Sequence, residues 1–161
     1  MYVNIQGDEP LITPRHVALL VAPFRERPGA QVTTLKIRLL PDEADNPNVN
    51  KVVCGVDGRA LYFSRAAIPF LRDPDDRSLL SGRVHQHIGV YAYQRDALAR
   101  WVALPPHPLE QIERLEQLRP LAAGIAMGVV FVDEVPRAGI DTEDDLARAN
   151  SDWTALTPER I

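Results

Sequence analysis

The segment Tyr2-Val3-Asn4-Ile5 running into Gln6-Gly7-Asp8-Glu9-Pro10 constrains this chain most: a short strand-like stretch empties into a turn bearing an acidic pair. In an open α/β sheet, ligands and metals collect in the crevice beyond the carboxyl ends of the strands, so this turn is expected at a site. A chain that opens on a strand expected in the core, with only Met1 ahead of it, reads as the back part of a larger protein.

The other elements follow from punctuation and period. Thr13-Pro14 has the form of a helix start, with Thr as cap and Pro at the first helical position. Val17, Leu19, Leu20, Val21 and Phe24 follow, and Pro28-Gly29 closes the segment. Residues 31–39 read as a strand and 41–50 as a loop. Lys51-Val52-Val53-Cys54 and Ala60-Leu61-Tyr62-Phe63 flank Val56-Asp57-Gly58-Arg59, where Asp-Gly predicts an antiparallel hairpin. Residues 72–77, rich in Arg and Asp, read as a solvated loop, and 127–132 as an apolar strand. Near the end, Asp141 or Thr142 caps a helix with an acidic first turn, a purely structural use for that aspartate.

Two stretches carry chemistry. Residues 85–93 alternate, placing His85, His87, Gly89, Tyr91 and Tyr93 on one face and Gln86, Ile88, Val90 and Ala92 on the other. The first face suits a ligand lying over the gap at Gly89, or an ordinary half-exposed sheet. After a short helix at 96–102, Leu109, Ile112, Leu115, Leu118 and Ala122 predict a helix of about four turns, with Glu116 and Arg119 turned inward. Those two charges either pair at i,i+3 or face a polar cavity, because an unpartnered buried charge is costly.

Composition sets the outer bounds. With 161 residues, 45% of them hydrophobic, one domain is expected. Against 22 acidic residues stand 18 basic ones, for a net charge of -4, which excludes bulk attraction to nucleic acid or an anionic membrane. The lone Cys54 cannot form an intramolecular disulfide and fits a reducing compartment. Lacking a membrane-length apolar run and a basic-then-apolar leader, the chain is expected to be cytoplasmic.

In order along the chain, Val3 to Pro10, Asn46-Pro47-Asn48, Ala60 to Ala66 with Ile68-Pro69, and His87-Ile88-Gly89-Val90-Tyr91 form one set of motifs. Pro108 to Glu113 with Leu115 to Arg119, then Gly139-Ile140-Asp141-Thr142, complete it. The set resembles the 3-deoxy-manno-octulosonate cytidylyltransferases, the CMP-Kdo synthetases. The resemblance implies α/β architecture with a mixed sheet flanked by helices, the C-terminal part of a nucleotide-diphospho-sugar transferase (Rossmann-like) fold. Residues 1–152 would be a truncated cytidylyltransferase domain for acceptor binding and dimerisation, and 153–161 a tail.

The implied reaction transfers CMP from CTP to the sugar acid Kdo, with release of pyrophosphate. The resemblance assigns Mg²⁺ to Asp8 and Asp141, hard oxygen donors suited to that ion. It places Gln6, Arg65, His87, Tyr91, Glu116 and Gln117 around the sugar acid, with Arg65 gripping its carboxylate and His87, Tyr91 and Glu116 reading hydroxyls. Implied partners are CTP, Kdo and either a second copy or a separate N-terminal half. The family's glycine loop for the triphosphate has no counterpart here, so negligible turnover by this chain alone is expected. Two rivals remain: a non-catalytic remnant or binding subunit, and a two-aspartate metal-dependent glycosyltransferase, which fits the Glu116-Gln117 and His87-Tyr91 motifs poorly.

Overall fold

The computed structural model describes residues 1–7, 9, 12–27, 29–40, 43–73, 75, 84–133, 143, 146, 147, 150 and 151. Asp8, Asp141 with its capping role, the Gly139-Ile140 motif and the 153–161 tail lie outside these residues.

The architecture is the expected mixed α/β sheet with flanking helices. Strand β5 (His85–Tyr93) organises it. Along one edge of β5 lies β2 (Val32–Arg38), antiparallel. Along the other edge β3 (Lys51–Cys54) pairs near Gln86 and His85, and β1 (Tyr2–Ile5) pairs with 90–93, both antiparallel. Beyond β3 comes β4 (Ala60–Ser64), and beyond β2 the parallel β6 (Met127–Phe131), giving the order β4-β3-β5-β2-β6. The two ends of that order meet: Val129 N–H donates to Gly58 O at 2.9 Å, and Arg59 bridges Gly128. The Asp-Gly hairpin supplies that contact, with Gly58 at φ 76° where a side chain is disfavoured.

Alternation along β5 sorts the core as the sequence predicts. Ile88, Val90 and Ala92 pack with Leu20, Leu35, Ile37 and Val132 beneath α1 (Pro14–Val21). Helix α1 starts at Thr13, whose hydroxyl accepts from His16 N–H, while His16 Nδ1 accepts from Thr13 N–H. Pro23, lacking an N–H, separates α1 from the short α2 (Pro23–Glu26). Tyr91 and Tyr93 face the other way. They join Val52, Phe63, Met127 and Trp101, the last from α3 (Arg95–Ala103). Trp101 meets both tyrosines edge-on at 5.7 and 5.4 Å. His87, Tyr91 and Tyr93 on this face are therefore buried, with His85 and Gly89 partly so.

Two expectations are corrected. Strand β1, expected in the core, has all four residues exposed, because among the described residues only β5 pairs with it. The long helix expected over 109–122 is two short ones, α4 (Pro108–Glu113) and α5 (Leu118–Ala122). Arg114 between them is left-handed (φ 56°), and both Arg114 N–H and Leu115 N–H return to Glu110 O. The wheel therefore fails beyond Glu113: Ile112 is 77% exposed, whereas Leu115 and Leu118 are buried. Arg119 pairs with Glu110, Nε donating to Oε2 at 2.7 Å and Nη2 to Oε1, and Glu116 is freed for other partners.

If the left-handed turn at Arg114 sets this break, a β-branched residue there is strained while glycine is not. Arg114→Val is expected to be less stable than Arg114→Gly by about 1–2 kcal/mol in urea unfolding; equal midpoints would remove the turn's role.

Candidate functional site

Gly89 lies where β5 leaves its ladder. Thr34 pairs with Tyr91, but the next residue of β2, Leu35, pairs with Ile88, so Gly89 and Val90 bulge. The gap above Gly89 holds the Gln6 side chain: a Cβ at position 89 would sit 2.9 Å from Gln6 Oε1 and 3.8 Å from Glu9 Oε1. A side chain at this position would displace the Gln6 amide, which crosses the strand at contact distance.

From there Gln6 Nε2 donates to Glu116 Oε1 at 3.2 Å, and the Tyr91 hydroxyl donates to the same oxygen at 3.5 Å. Tyr91 is 1% exposed, and its pKa is pushed well above the usual phenol range by burial first and by the Glu116 carboxylate next. The phenol stays protonated and remains a donor. Burial likewise raises Tyr93 to about 12. Gln117, also 1% exposed, has a buried Nε2 with no hydrogen-bond partner among the described residues. Such an orphan donor is rare inside proteins and marks a place to look for a ligand. Thus Gln6, Tyr91 and Glu116, drawn from three distant segments, converge through hydrogen bonds, with Gln117 adjacent in the chain.

The wall beside this cluster consists of charges clamped to backbone. Arg65 donates from Nε to Glu113 O at 2.8 Å, from Nη1 to Pro47 O at 3.0 Å and from Nη2 to Arg114 O at 3.4 Å. Its guanidinium therefore ties the Asn46-Pro47-Asn48 loop to the turn ahead of Glu116. Glu113 in return accepts from Ser64 Oγ at 2.7 Å and Arg65 N–H at 2.9 Å. Lys51, wholly buried, donates to Asn46 O (2.8 Å) and to Arg65 O. Burial lowers its pKa, with Asp45 and then Glu113 opposing the shift. Sequence reading missed Lys51, Glu113 and Ser64, although a lysine heading the apolar run Val52-Val53 was a usable signal.

His87 is 6% exposed and has both ring nitrogens engaged: Nε2 lies 2.8 Å from Thr34 Oγ1, and Nδ1 3.0 Å from Asn50 Nδ2. Its ring stands edge-on to Phe63 at 4.8 Å. Where the sequence reading has His87 reading a hydroxyl, the structure directs both nitrogens to protein groups. Among the described residues no group of three or more His, Cys, Asp or Glu side chains is placed to hold a metal. A cavity of about 340 Å³ opens elsewhere, between α1, α2 and the outer edge of β6, and none of the cluster residues lines it.

Burial lowers the His87 pKa to about 3. Between that value and the ordinary value of 6.5 the unfolded chain binds the extra proton, so this contribution to stability is complete above pH 6.5 and is lost as pH falls toward 3. Wild type should lose about 2 kcal/mol more than His87→Gln between pH 6.5 and pH 5, from urea unfolding at each pH. Parallel curves would mean that His87 titrates normally.

Comparison with known proteins places this geometry. The family described as Cytidylyltransferase matches residues 1–129. A 3-deoxy-manno-octulosonate cytidylyltransferase from Gemmatimonas aurantiaca is 53% identical over 96% of this chain and 59% of its own length. One from Polynucleobacter asymbioticus is 45% identical over 92% of this chain and 58% of its own. The solved structure of CMP:2-keto-3-deoxy-manno-octonic acid synthetase complexed with CTP is similar with a TM-score of 0.86 at 38% identity, covering 97% of this chain and 62% of that one. The chain thus spans about three fifths of the curated relatives it matches, and it belongs to the cytidylyltransferase family.

Proposed function

We propose that this chain is the sugar-acid-binding part of a 3-deoxy-manno-octulosonate cytidylyltransferase, which transfers CMP from CTP to Kdo and releases pyrophosphate. The observation that carries this reading is the convergence of Gln6, Tyr91 and Glu116 over Gly89, beside the orphan amide of Gln117. A polyhydroxylated acid needs acceptors and donors in alternation. Glu116 accepts from hydroxyls, while Tyr91 and the Gln6 and Gln117 amides donate to hydroxyl or carboxylate oxygens. The named relatives act on this acceptor.

Within this reading Arg65 holds the pocket wall through backbone carbonyls, and its clamp on Glu113 and Arg114 fixes the turn that carries Glu116 toward Gln6 and Tyr91. Asp8 and Asp141 are the residues that would hold Mg²⁺, a pair of carboxylates matching that ion's preference for hard oxygen donors. When bound, the ion neutralises charge on the phosphates and orients the attacking and leaving oxygens. The enzyme is cytoplasmic in this reading; no helix among the described residues is long and apolar enough to cross a membrane.

A second reading, favoured by β1, is a binding subunit that associates with a separate N-terminal half or with another copy. Tyr2, Val3 and Ile5 are 53%, 39% and 46% exposed on a strand whose outer edge has no partner among the described residues.

Kdo titrated calorimetrically into the chain is expected to bind. Glu116→Ala is expected to weaken binding tenfold or more, since a hydrogen bond to a charged group is worth about 1.5–3 kcal/mol. Equal binding by wild type, Glu116→Ala, Asp8→Ala and Asp141→Ala would discard the residue roles. CTP consumption with Kdo and Mg²⁺ should be negligible for the chain alone and should appear on co-expression with a complementary N-terminal half; ordinary turnover without it would refute the subunit reading.

A further inference from the structure

Two kinds of donor lie within reach of the Glu116 carboxylate. Gln6 Nε2 and the Tyr91 hydroxyl both donate to Oε1, at 3.2 and 3.5 Å, and hold it in the cluster. The third donor is Arg119. Its backbone N–H donates to Glu116 O at 3.1 Å, so the two side chains leave one turn at i,i+3, a spacing at which opposite charges meet. A guanidinium placed there competes with Gln6 and Tyr91 for the same carboxylate.

That competition is settled by a residue nine positions back, across the left-handed turn at Arg114. Glu110 takes the side-on fork of Arg119, Nε donating to Oε2 at 2.7 Å and Nη2 to Oε1. The Glu110 carboxylate is fixed before Arg119 arrives, because Oε2 also accepts from His107 N–H at 3.2 Å in the cap of α4. The fork is partly buried, whereas Glu116 is exposed, so the same charge is held more strongly by Glu110 than it would be by Glu116. The Glu110 hydrogen bond raises the Arg119 pKa above its usual value, and the Glu116 carboxylate, close enough to be felt, adds to it.

We propose that Glu110 is a positioning residue that sequesters Arg119, so that Glu116 keeps its carboxylate for Gln6, Tyr91 and the hydroxyls of the sugar acid. The sequestration stands on the geometry of residues 107–119, and its bearing on the sugar acid rests on the reading proposed above.

Calorimetric titration of Kdo into the full chain compares three variants. Glu110→Gln keeps an oxygen to accept from His107 N–H but loses the charge that holds the fork. It should bind Kdo about tenfold more weakly or worse, because Arg119 turns to Glu116. Arg119→Met should stay within about threefold of wild type, and the double variant, in which nothing competes for Glu116, should recover to the same level. A fork that only braces α4 against α5 gives a different pattern, with Arg119→Met as weak as Glu110→Gln and the double variant no better. That pattern, or a Glu110→Gln affinity equal to or above wild type, overturns the proposal. Should Glu110→Gln fail to fold, Glu110→Asp, one methylene short of the fork, takes its place. Without ligand, nitrogen–carbon couplings across the hydrogen bonds of the Arg119 guanidinium identify its partner. The expected partner is the Glu110 carboxyl in wild type and the Glu116 carboxyl in Glu110→Gln; any other result refutes the sequestration. If wild type does not bind Kdo, the sugar-acid reading falls, and these couplings alone decide the proposal.

Discussion

The hydroxyl of Thr34, bonded at once to both sides of a break in the β2–β5 ladder, is the interaction on which the site depends. A regular ladder would pair every residue of β5 and leave no surplus backbone at position 89. The slip releases Gly89 and Val90, and the single proton of the Thr34 hydroxyl lies between the Val90 and Ile88 carbonyls, here under full burial. Because β5 is the strand that β1, β2 and β3 all pair with, an irregularity there is transmitted to the Gln6 turn, to the Asn50 loop and to Tyr91 together.

Around this bulge the protein uses charge as a fastener. Lys51 and Arg65 are committed to backbone carbonyls, and Glu113 is committed to Ser64 and to Arg65 N–H. Buried charges are costly unless their hydrogen bonds are complete, and cross-tying three loops is what makes the cost worthwhile here. The result is a wall of fixed dipoles beside Glu116, a carboxylate left to meet amide and phenol donors. The burial that fixes the wall also keeps His87 neutral and the two tyrosines protonated, so these three rings keep their protonation across the physiological range.

Much of this was legible beforehand wherever the determining interaction is local. The Thr13 cap, the Asp-Gly hairpin and the two faces of β5 rest on neighbours within a few residues, and each appears as the pattern predicts. The 109–122 segment shows where locality ends. Its apolar period favours one helix, but the left-handed Arg114, its carbonyl held by Arg65 from the hairpin, divides it. Glu116, read from the helix wheel as inward-facing, is exposed instead, because the wheel does not apply beyond Glu113.

By itself the sequence determined the element types, the polarity of each face of β5 and, through its ordered motifs, the family, because these depend on local dihedral preference, period and residue identity. Only the tertiary structure decided what each polar group is doing. Gly89 makes room for Gln6, Arg65 grips carbonyls, Lys51 is a buried tie, and His87 is held between Asn50 and Thr34. A hydrogen-bond donor looks the same in a sequence whether it will face a ligand or a backbone oxygen. Its partner is set by loops that meet only when β5 is flanked on both edges, and long-range pairing of that kind leaves no local signature.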